Sequence, residues 1–156
     1  MSSEEQALGA DTWRALVAVE QEVARRRAEV NQLPSRVDLL AEALTSSSAW
    51  DRSVALDFLR LFPDDVPALL PLLVDLTLSA AWTQPAREAI RAARSGIDPS
   101  HFTRVALECL SGADAEDQVT LADVLAEVGA GEALAAVIGE AARSGDVDKK
   151  GEGASG

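Results

Sequence analysis

The chain has 156 residues, with 26 Asp and Glu against 14 Lys and Arg, for a formal net charge of −12 at pH 7. This length makes one domain or one short repeat array that can bury a core without a disulfide or metal staple. One cysteine and one histidine exclude an intramolecular disulfide and a Cys/His zinc site, and the acidic balance disfavours nucleic acid and anionic membranes.

Apolar periodicity is helical throughout, and no run alternates as a strand does. Residues 1–10 are expected to be flexible. Asp11 can cap a long first helix reaching about Asn31, with Trp13, Leu16, Val17, Val23 and Val30 as its apolar stripe. Pro34 breaks it. Ser35 then caps a second helix carrying Val37, Leu40, Ala41 and Leu44, which ends at Ser46-Ser47-Ser48. A third helix runs from about Trp50 to Leu61 and stops at Pro63. Asp64 or Asp65 opens the fourth, with Leu69, Leu72, Leu73 and Leu76 on its core face and a kink expected at Pro71.

The fifth helix is expected over Gln84 to Arg94, with Gly96 as the stop. Asp98-Pro99 starts a sixth, whose core positions are Phe102, Val105, Ala106, Cys109 and Leu110. Asp114 caps a seventh with Leu121, Leu125 and Val128, closed by Gly129 and Gly131. An eighth carries Leu134, Val137, Ile138 and Ala141 and stops near Gly145. Residues 146–156 are polar and glycine-rich and read as a disordered tail.

The second helices repeat. Val37, Leu40, Ala41 and Leu44 map onto Leu69, Leu72, Leu73 and Leu76 at a shift of 32 residues. Leu72, Leu73 and Leu76 map onto Ala106, Leu107 and Leu110 at 34, and Phe102, Val105, Ala106 and Cys109 onto Leu134, Val137, Ile138 and Ala141 at 32. Ala49-Trp50 recurs as Ala81-Trp82. Helix pairs at one period stack, each burying its apolar face on its neighbours.

The stretch from Ala49 to Leu78 (AWDRSVALDFLRLFPDDVPALLPLLVDLTL) resembles a HEAT repeat of the compact bacterial kind. It has an Asp-Arg with Val-Ala-Leu on the first helix, an acidic turn, and a leucine-rich second helix. The resemblance covers about residues 35–144 and implies an all-α fold, a right-handed α-α superhelix (HEAT-like solenoid) of about four helix pairs within 11–145. The absence of tyrosine argues against tetratricopeptide repeats.

Catalytic chemistry is not evident. His101 and Cys109 lie eight residues apart on one helix, about 12 Å along its axis, too far for a dyad. His101 reads as an exposed helix residue or an N-terminal-turn donor, and Cys109 as a small buried hydrophobe. Gly129-Ala130-Gly131 lacks the strand and the further glycine of a phosphate loop. Asp114, Glu116 and Asp117 lack calcium-loop spacing and suit a helix N-terminus. Arg25-Arg26-Arg27 sits among Glu20, Glu22 and Glu29 as a solvated, salt-bridged face. Trp13, Trp50 and Trp82 read as inter-helix packing, with an interface anchor as the alternative. No catalytic, cofactor or metal residues are assigned.

Binding is therefore the expected activity. In HEAT-like arrays the second helices line the concave face, and the resemblance places the partner there. The repeat puts Glu42, Val74, Glu108 and Glu140 in one column, with Asp38, Asp75 and Arg104 nearby. From Asp98 to Glu140 nine carboxylates face Arg104 alone among Lys and Arg. The expected partner is another protein with a basic surface, with no nucleic acid and no membrane; self-association stays open. The alternatives are a stoichiometric inhibitor or immunity protein against a basic toxin or enzyme, and a small HEAT-type lyase. No apolar run reaches the roughly 18 residues of a bilayer span, and a cytoplasmic location is expected.

Overall fold

The computed structural model describes residues 2–153, with side chains described through residue 145. Among the described residues there are eight α-helices and no strand: α1 (Ser3–Asn31), α2 (Arg36–Thr45), α3 (Ala49–Leu61), α4 (Val66–Thr77), α5 (Thr83–Ala92), α6 (Pro99–Ser111), α7 (Ala115–Glu127) and α8 (Gly131–Gly153). Short 3-10 turns at Pro63–Asp65 and Arg94–Gly96 join α3 to α4 and α5 to α6. No described helix is long and apolar enough to cross a membrane. The chain divides into two units, residues 1–36 and 37–156.

The first unit is α1. It starts at Ser3, so most of the segment expected to be flexible is helical. The reason is a capping box: the Glu5 amide donates to Ser2 Oγ, and the Ser2 amide donates to Glu5 Oε2, both at 3.3 Å. Asp11 lies inside the helix, 3.9 Å from Arg14, and is not the cap. Arg25 pairs with Glu22, and Arg26 bridges Glu22 at 2.9 Å and Glu29 at 3.0 Å, the salt-bridged face expected. No residue of α1 is buried.

The second unit holds the core. Its centre is α4, where Val66, Leu69, Leu70, Leu73, Val74 and Thr77 are buried. This helix packs on α5, α6 and α7, while α3 packs on α5 and α8 on both α6 and α7. The core row of α4 differs from the expected one, because Leu72 and Leu76 are only half-buried while Leu70 and Val74 are fully enclosed. With apolar residues on nearly every side of α4, periodicity alone does not choose the row; packing from three neighbours does. On α8 the core residues are Ala133 and Val137, and Ile138 is exposed.

Helix ends follow their caps. Asp98 accepts from the Ser100 amide at 2.8 Å, and Asp114 from the Asp117 amide at 2.8 Å. After α7, Gly129 takes φ 74°, with Ala130 N–H donating to Leu125 O and Gly129 N–H to Ala126 O, a Schellman closure. A Cβ there would lie 2.7 Å from Arg94 Cζ. The positive φ is what favours glycine here, since the Arg94 guanidinium is the far end of an exposed side chain and can move aside. The helix α8 continues past Gly145 to Gly153, because one glycine weakens a helix by about 1 kcal/mol without ending it. The expected disordered tail is thus helical over 146–153, and residues 154–156 lie outside the described residues.

Candidate functional site

The expected partner-binding residues lie on α2, α4, α6 and α8. Asp38 and Glu42 are exposed on α2, Asp75 on α4, Arg104 and Glu108 on α6, and Glu140 on α8. Successive packing of α4 on α6 and α6 on α8 brings the helices of Asp75, Glu108 and Glu140 side by side. The helix α2 makes no packing of comparable extent with them.

One position in the expected column needs correcting. Val74 is 1% exposed and belongs to the core, and its neighbour Asp75 occupies the exposed place. Exposed carboxylates then recur at Glu42, Asp75 and Glu108, a constant step of 33 residues, with α4 and α6 packed together and α2 outside that packing. Glu140 falls one residue short of the next step. It pairs with Arg143 at 2.8 Å on its own helix, so part of its charge is already neutralised.

Two groups beside this row are set by their surroundings. Cys109, which follows Glu108, is half-buried where full burial was expected. Burial first, then the charges of Asp75 and Asp117, raises its thiol from 9.0 to about 11. The thiol is therefore neutral at physiological pH. Because the folded chain disfavours the thiolate, Cys109 below pH 9 should hold about 100-fold less thiolate than the unfolded chain. Its reaction with a disulfide reagent at pH 8 should be slower by that order and accelerate about tenfold per pH unit. Equal rates for folded and unfolded chain at pH 8 would contradict this environment.

His101, in the first turn of α6, is half-buried and reaches another helix, which fits the first-turn donor and not the exposed residue. Its Nε2 lies 3.0 Å from Pro67 O, and Arg104 NH2 lies 3.2 Å from its Nδ1. Pro71 explains the contact. A proline four residues on has no N–H, so the Pro67 carbonyl lacks its helical donor. With Nε2–H donating to that carbonyl, Nδ1 is the acceptor of the Arg104 guanidinium. Arg104 is thus held at the edge of the acidic row by a contact made for packing.

The tryptophans divide. Trp82 is half-buried beneath the Arg52 guanidinium, 5.9 Å from its ring centroid. Trp13 and Trp50 are 65% and 81% exposed, so packing does not account for them. Val54 and Leu61 are exposed on the same helix as Trp50, at helical spacing from it. Apolar residues standing off the core row were the available signal for this surface. Among the described residues, no group of three His, Cys, Asp or Glu side chains is placed to hold a metal ion. Compared with known protein families, characterised proteins and solved structures, the chain finds no match.

Proposed function

We propose that the chain is a non-enzymatic protein-binding module, an array of HEAT-like helix pairs whose second helices take a basic partner protein. The observation that carries this reading is the recurrence of exposed carboxylates at Glu42, Asp75 and Glu108, at a step of 33 residues along the sequence. Residues 37–156 carry 20 Asp and Glu against 9 Lys and Arg, which would speed encounter with a basic surface.

The repeat itself has support beyond the apolar pattern. Equivalent helix ends meet at repeat spacing: His101 bonds Pro67 across 34 residues, and Arg91 NH2 bonds Glu127 O at 3.1 Å across 36. The order α4, α6, α8 of packed second helices also suits a stacked array.

The test is capture of the partner from cell extract by wild-type chain and by Glu42→Lys/Asp75→Lys/Glu108→Lys, each washed at low and high salt. All three positions are exposed, so the variant should fold. The wild type should retain a stoichiometric basic protein at low salt and release it at high salt, and the variant should lose it at both. Equal, salt-independent retention by the two chains would remove the acidic row from the binding surface.

A further inference from the structure

Arg104 has two polar partners within helical reach on α6, His101 one turn before it and Glu108 one turn after. The guanidinium takes the first, donating from Nη2 to His101 Nδ1 at 3.2 Å. Glu108 is left over. Outside the helix ladder it bonds through its backbone carbonyl, which accepts from Ser111 Oγ at 2.7 Å, and its carboxylate has no ion pair among the described residues.

The choice has a physical reason. An arginine that precedes its carboxylate on a helix is in the weaker order for pairing, and long helical side chains lean toward the N-terminus. On that side stands an acceptor already fixed in place. The imidazole is half-buried, and its Nε2 is held 3.0 Å from Pro67 O on α4, so its second nitrogen faces Arg104 without further ordering.

The consequence falls on the carboxylates near Glu108. Asp75 on α4 and Asp117 on α7 both act on the thiol of Cys109, the next residue along α6. Among the described residues, neither of these carboxylates nor that of Glu108 is paired with an arginine or lysine. Arg104 is the cation best placed to neutralise Glu108, and it is turned the other way.

We infer that His101 is a positioning residue for the proposed partner site: its Nδ1 holds Arg104 away from Glu108 and keeps that carboxylate free for a lysine or arginine of the partner. The role in binding rests on the proposed function; the hold on Arg104 does not.

Nuclear Overhauser contacts in the isotope-labelled full chain read the hold directly. In the wild type, the Arg104 side chain should contact the His101 ring and not the Glu108 methylenes. In His101→Ala its contacts should move to Glu108. His101→Gln, whose amide can donate to Pro67 O and accept from Arg104, should keep the wild-type pattern. Because His101→Ala loses a bond to α4, it is also made together with Pro71→Ala, which returns a helical donor to the Pro67 carbonyl. Titration with deca-lysine at low salt then reads the consequence for binding. His101→Ala should weaken it about twofold, the size of a helical ion pair that must first be broken. In an Arg104→Gln chain the same change should have no effect, whereas a merely structural histidine would weaken both chains alike.

Arg104 contacts with Glu108 already present in the wild type, or absent from both His101→Ala chains, would overturn the inference. So would equal weakening by His101→Ala with and without Arg104. Deca-lysine held equally by the wild type and by Glu42→Lys/Asp75→Lys/Glu108→Lys would instead overturn the proposed function, and with it the role in binding, while the Arg104 contacts still decide what holds that side chain.

Discussion

Replacing His101 with Ala is expected to destabilise the second unit by about 1–3 kcal/mol, and most of that cost should vanish when Pro71 is also replaced with Ala. The Pro67 carbonyl lost its helical donor to Pro71, and His101 Nε2 supplies the substitute at 3.0 Å. Removing the imidazole leaves a part-buried carbonyl unpaired, which costs roughly the desolvation of that group. In Pro71→Ala the amide of residue 71 can bond Pro67 O directly, and the histidine has less to repair. Pro71→Ala alone should stabilise α4 by up to about 3 kcal/mol, since its side chain is exposed and the interior proline is the unfavourable element. A double-mutant cycle by urea denaturation reads the coupling. Additive effects would mean that His101 is not answering the proline.

The second large effect is Leu70→Ala, expected to cost about 2–5 kcal/mol. Leu70 has no exposed surface, and its helix packs against α5, α6 and α7, so the cavity has few ways to close. Leu16→Ala removes the same atoms from α1, where Leu16 is half exposed and no residue is buried. At a concentration where the chain is monomeric, it should change stability by less than about 0.5 kcal/mol. Thermal or urea unfolding of the two variants compares them directly. Equal losses would contradict the burial of Leu70 and the exposure of Leu16.

The helices were legible in the sequence where punctuation is chemical. Asp98 and Asp114 cap as read, Gly112 and Gly129 close helices as read, α5 ends at Ala92 with Gly96 in the 3-10 turn beyond it, and the all-α class follows from the apolar spacing. The Ser2–Glu5 capping box was also legible, four residues into the chain, but the weak apolar signal before Trp13 directed the start to Asp11. The row of α4 was not legible, because Val66, Leu69, Leu70, Leu72, Leu73, Val74 and Leu76 surround the helix and only packing chooses among them. That ambiguity placed Val74 where Asp75 belongs and hid the constant 33-residue step. His101 had a signal of its own. Pro71 announces an unpaired carbonyl at Pro67, and the repeat shift of 34 carries Pro67 onto His101.

The surface of α1 depended on tertiary facts. A stripe of valine and leucine with a tryptophan reads equally well as buried or exposed until its neighbours are placed.

The proposed partner site is the acidic positions of the second helices. The most direct measurement is amide chemical-shift mapping of the isotope-labelled chain as the captured basic protein is added. Perturbations are expected around Glu42, Asp75, Arg104 and Glu108 and should diminish together as salt rises. Perturbations confined to α1, or to the Trp50, Val54 and Leu61 surface of α3, with the acidic row silent, would contradict it.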